Sequence, residues 1–189
     1  MLKKVLATAL VGCLGCGCVM AADQVTVNFQ AKVVGTACFL KVAKGEKEDV
    51  TTGTSTVNVD FSNVKDTQTV TPFQPLTFML TDCGLGVEGA TVTPSTVVGG
   101  DVGGAGKTHM IIVNDTTMNN TGATNIAFYK DKSETNPSPY ELTSTNTYMN
   151  FETKSELTKK YTLYTRLEKP ESVTLGPVEA SIIFTAVYK

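Results

Sequence analysis

From Asp23 to Val34 the side chains alternate. Val25, Val27, Phe29, Ala31 and Val33 fall on one side, and Gln24, Thr26, Asn28, Gln30 and Lys32 on the other. A period of two places one set on a dry face and the other on a wet one, so the segment is expected to be a strand. Strand-length segments recur at Thr56 to Val64, Leu76 to Leu80, Gly89 to Thr93, His109 to Val113, Asn125 to Tyr129, Thr147 to Phe151, Tyr161 to Leu167 and Val178 to Tyr188. Turn-forming clusters separate them, among them Thr52-Gly53-Thr54, Val98-Gly99-Gly100-Asp101 and Asn136-Pro137-Ser138-Pro139. No helical period persists between them. The pattern predicts an all-β antiparallel sandwich, with no internal repeat and no linker that would divide it.

The last of these segments differs from the first. Val178, Ala180, Ile182, Phe184, Ala186 and Tyr188 occupy one face, while Ile183 and Val187 make the other face partly apolar as well. Such a strand either lies inside a sheet or leaves an aggregation-prone edge.

Ahead of the first strand, Lys3 and Lys4 precede an uncharged run from Val5 to Met20 that closes in small residues. That is the layout of a cleaved export signal spanning 1–21. Cleavage after Ala21 satisfies a small-x-small rule with Val19; cleavage after Ala22 would put Met20 at the first small position. A membrane-spanning helix fits poorly with the Gly and Cys residues from Gly12 to Cys18. Leu10-Val11-Gly12-Cys13 resembles a lipoprotein signal, but after an unusually short apolar run. Loss of 21 residues from 189 leaves 168, enough for one domain with a core. Lys3 and Lys4 leave with the signal, so 16 basic residues become 14 against 18 acidic ones. A chain of that balance has no general attraction for nucleic acid or an anionic membrane. Three of the five cysteines also leave. Cys38 and Cys83 remain, and in an oxidising compartment an even pair implies a disulfide, the alternative being two buried thiols. Closing that loop is worth roughly 3 to 4 kcal/mol in the chain-entropy model.

Catalytic motifs are weak. Gly99 to Thr108 ends in the Gly-Lys-Thr of a phosphate-binding loop, but Asp101 stands where that motif needs glycine, and His109 to Val113 is strand-like where a helix should open. A glycine hairpin is the better reading. His109 is the only histidine, and no Gly-x-Ser-x-Gly elbow accompanies it. No nucleophile, base and orienting group can be named together, so the chain is not expected to be an enzyme. With one histidine and no calcium-loop spacing of acids, neither a metal nor another cofactor is expected. Asn114-Asp115-Thr116 and Asn119-Asn120-Thr121 match glycosylation acceptors, a pattern common by chance.

The order of these features resembles the chaperone-usher fimbrial subunits, the type 1 pilin-like family. An export signal leads into Thr26 to Val34 and Cys38; the second cysteine closes Leu76-Thr77-Phe78-Met79-Leu80-Thr81-Asp82-Cys83. Tyr161-Thr162-Leu163-Tyr164-Thr165-Arg166 is similar to the family's penultimate strand, and Gly176 stands fourteenth from the end with Tyr188 penultimate. The resemblance implies an incomplete immunoglobulin-like sandwich over 37–189 that lacks its final strand, and a donor-strand extension over 22–36. Val25, Val27, Phe29, Ala31 and Val33 would enter a neighbouring subunit's groove. Gly176, Val178, Ala180, Ile182, Phe184, Ala186 and Tyr188 would form the strand that first a periplasmic chaperone and then the next subunit lies against. An outer-membrane usher would complete the set of partners, and export to the periplasm would end in an extracellular fimbrium that supports adhesion. Ala31 departs from the family, which usually has glycine there; its methyl asks for a slightly roomier groove. A two-domain tip adhesin would be much longer. The competing expectation is a self-contained secreted β-sandwich that binds a ligand through loops such as Val98 to Thr108.

Overall fold

The computed structural model describes residues 25–33, 38–46, 55–61, 69–103, 106–113, 124–168 and 178–189. The export signal, Ala22, Gly176, the Thr52 to Thr54 turn and the Asn114 and Asn119 acceptors lie outside them. Eleven strands are present among the described residues: β1 Val25–Val33, β2 Phe39–Lys44, β3 Thr56–Asp60, β4 Gln74–Thr81, β5 Ala90–Val98, β6 Asp101–Val102, β7 Met110–Val113, β8 Thr124–Tyr129, β9 Met149–Phe151, β10 Lys160–Glu168 and β11 Val178–Tyr188. One sheet has the order β3-β1-β11-β5-β9 and the other β2-β4-β10-β8-β7-β6. A short 3-10 helix, Lys154–Thr158, leads into β10.

Alternation builds the sandwich. Leu76, Phe78 and Leu80 of β4, Ile126 and Phe128 of β8, and Leu163 and Leu167 of β10 point inward from one sheet. Ala90 and Val92 of β5 and Ala180, Ile182, Phe184 and Ala186 of β11 meet them from the other. All belong to one continuous buried cluster, as expected for two sheets packed face to face. The expected all-β sandwich is therefore present, with β2 and β6 added to the segments foreseen. The glycine-rich stretch turns back on itself: β5 passes through Gly99, whose φ of 82° suits glycine, into β6, and Met110–Val113 is a strand.

The N-terminal strand is the informative element. β1 lies inside its own chain's first sheet, antiparallel to β3 and parallel to β11, with Val25 opposite Val178 and Val33 opposite Ala186. Every other pairing of named strands among the described residues is antiparallel. Connectivity forces the exception. Only five peptide steps separate Val33 from Cys38, a reach of about 18 Å. Cys38 is bridged to Cys83 beyond the end of β4, and its carbonyl accepts the Tyr188 hydroxyl at 2.8 Å, so the root of β1 is held at the end of β11. Running β1 the other way would carry Val33 to the Val178 end of β11, nearly 30 Å off at about 3.3 Å per residue.

Candidate strand-binding groove

Without β1, the first sheet would have a slot between β3 and β11. Its inner surface is apolar on all sides. Ala180, Ile182 and Phe184 line the β11 side, fully buried, and Val59, with half-buried Val57, lines the β3 side. The facing sheet supplies the floor through Phe128, whose ring meets Phe29 edge-on with centroids 5.9 Å apart. Phe184 sits 4.8 Å from Phe78 and 6.4 Å from Tyr140, centroid to centroid.

The strand fits by its alternation. Val27 is 0% exposed and Phe29 1%, whereas Asn28 between them is half-buried and Gln30 is exposed. Burying two such apolar side chains contributes on the order of 1.5 to 3 kcal/mol each before ordering costs. Backbone pairing on both edges adds roughly 1 kcal/mol net per hydrogen bond. A slip of one residue would put Asn28 and Gln30 into the slot, so side chains fix the register. The two sequence-derived strands come together in the backbone register, Val25 opposite Val178, Val27 opposite Ala180, Phe29 opposite Ile182, Ala31 opposite Phe184 and Val33 opposite Ala186, with Tyr188 beyond them at the end of β11. Burial raises the Tyr188 phenol above its usual range.

The part of the groove that sequence reading passed over is β3. Its alternating Val57 and Val59 were legible as a strand, but nothing local assigned that strand to β1.

A second constellation lies on the outer face of the six-stranded sheet. The Arg166 guanidinium, 9% exposed, sits 4.6 Å from the Phe73 ring centre and 5.1 Å from that of Tyr129. Its Nε donates to Glu168 Oε1 at 2.7 Å, and the Tyr129 hydroxyl donates to the same oxygen at 2.6 Å. His109 packs on Tyr129 with centroids 5.4 Å apart, and burial lowers its pKa. Stacking and a shared carboxylate satisfy the buried charge, which makes this a clamp between β8 and β10. Among the described residues no group of three or more His, Cys, Asp or Glu side chains is placed to hold a metal ion.

No protein-family model matches the chain, and no curated protein matches it significantly.

Two outcomes follow from this geometry. Phe29→Ala should cost about 3 to 5 kcal/mol in denaturant unfolding, while Gln30→Ala, one residue along on the wet side, should stay within about 0.5 kcal/mol. Equal effects would place the strand elsewhere. The second concerns pH. Burial, with help from the bond to Glu168, pushes the Tyr129 phenol from 10.0 up to about 12. A raised folded-state value means that this contribution to stability is complete below pH 10 and is lost as pH climbs through about 12. Between those values Tyr129→Phe should lose less stability than the parent chain, measured by the unfolding midpoint at each pH; parallel losses would remove Tyr129 from the account.

Proposed function

We propose that the chain is a structural subunit of a surface fimbria that polymerises by donating β1 to the sheet of the next copy. The observation that carries this reading is the complementarity of β1 and the slot between β3 and β11. Nine paired residues along β11 and a buried Val27-Phe29 stripe belong to a segment joined to the rest of the domain at one end only. A strand that fills a slot in its own chain fits the same slot in an identical chain, which is the basis of strand swapping.

Direction decides what can grow. β1 leaves the domain at the disulfide end. If it entered a neighbour in the parallel sense seen within one chain, donor and acceptor would meet disulfide end to disulfide end and close as a swapped pair. Entered in the reverse sense, it joins the disulfide end of one copy to the opposite end of the next, and that head-to-tail contact propagates. Covalent tethering forbids the reverse sense within one chain but not between chains. Entering in the reverse sense would make β1 antiparallel to β11 and parallel to β3, so each sense carries one parallel pairing. In this reading the chain is exported, held by a periplasmic chaperone that covers the slot, passed to an outer-membrane usher and built into an extracellular fibre that supports adhesion. The immunoglobulin-like topology belongs to the same proposal.

One observation favours a second reading. The sheet is complete within a single chain, as a self-contained secreted sandwich that binds a ligand through its loops would require. The two readings part on one experiment. A chain lacking residues 22–34, refolded with its disulfide, should be weakly stable and should become markedly more resistant to denaturant with a synthetic peptide of residues 23–34. A truncated chain that is already stable and ignores the peptide would support the self-contained sandwich.

A further inference from the structure

At the disulfide end, Met79, Thr81, Asp82, Gly84, Leu85 and Leu157 line a largely apolar cleft of about 440 Å³. Leu85 is 92% exposed there, although its carbonyl is held by Lys154 Nζ at 3.5 Å. At the other end of the sandwich, the turn between β5 and β6 carries two more exposed apolar side chains, Val98 at 57% and Val102 at 36%, with Asp101 between them. Val98 pairs with Ser181, near the start of β11, while Ala90 pairs with Tyr188 at its end, so turn and cleft occupy opposite poles.

Strand donation brings these poles together. The five peptide steps from Val33 to Cys38 allow about 18 Å between a donated strand and the body that donates it. In the reverse sense that permits growth, Val33 lies at the Val178 end of the acceptor, where the Val98 to Val102 turn stands. Resting on the strand-donation reading, we propose that this turn of one copy seats in the Leu85 cleft of the next, forming a second, strand-independent contact along the fibre. Two exposed valines on a narrow glycine turn match an apolar cleft in chemistry, and Asp101 on the turn opposes Lys154 on its rim in charge. A head-to-tail pair of unlike surfaces of this kind repeats without closing. The contact explains why a leucine is almost fully exposed beside a cleft at the pole from which β1 departs.

The test uses the full chain without its export signal. Leu85→Asp should unfold at the parent midpoint, since Leu85 is already in water, yet its yield of linear polymers should fall roughly tenfold or more. Asp101→Lys and Lys154→Asp should each weaken polymers, and the double variant should recover much of the loss. Leu85→Asp polymers formed at the parent's rate and length would overturn the cleft contact while leaving strand donation intact. A parent chain that forms no polymers would instead overturn strand donation, and this contact with it.

Discussion

Everything in this structure turns on β11 having a partner on each edge. Its Ala180, Ile182, Phe184 and Ala186 stripe sits at the centre of the core, and its backbone lies between β5 and β1. β5 is a fixed part of the domain. β1 is tied to the rest through the short connection that ends at Cys38. Removing β1 would leave β11 with a row of open backbone groups and a slot lined by Ile182, Phe184, Val59 and Phe128, a costly exposure in water. In the proposed assembly, the strand that fills the slot decides whether the protein is a monomer or a link.

The short connection explains the orientation of β1 and, through it, the proposed assembly. The disulfide and the Tyr188 hydrogen bond hold the root of β1 beside the end of β11, so within one chain the strand can only run parallel. Proximity gives that arrangement a high effective concentration. Between chains that restriction does not apply, and under the proposal β1 enters antiparallel to β11 and parallel to β3. On the proposed reading, one sequence supports both the closed form seen in the structure and an open-ended one.

Much of the fold was legible because alternation reports burial directly. Val25 to Val34 and Val178 to Tyr188 read as strands, with the inward side correct at Val27 and Phe29 and at Ala180, Ile182, Phe184 and Ala186, and the segments for β4, β5, β7, β8, β9 and β10 were found with boundaries a few residues short or long. β2 was not, because only Leu40 and Val42 of its six residues are buried, and lysines and an exposed Phe39 obscure their alternation. β6 is two residues long, below what any pattern can register. The place of β1 beside its own β11 was beyond reach for a different reason: a period of two says which side chains are dry, not whose sheet they enter. Arg166 was invisible as a buried charge: Glu168 lies two residues along the same strand, but Phe73 and Tyr129 reach it only through the pairing of β10 with β4 and β8.

The most direct test of whether β1 must leave its own sheet is to fasten it there. Asn28 and Asn58 are directly paired across β1 and β3 and point away from the core, a separation suited to a disulfide. Polymer formation would be followed for the oxidised Asn28→Cys, Asn58→Cys double variant beside the two single variants with their new thiols capped. Strand donation predicts a locked chain that folds, resists denaturant and stays monomeric while the single variants form linear polymers. Equal polymerisation by the locked chain would contradict it.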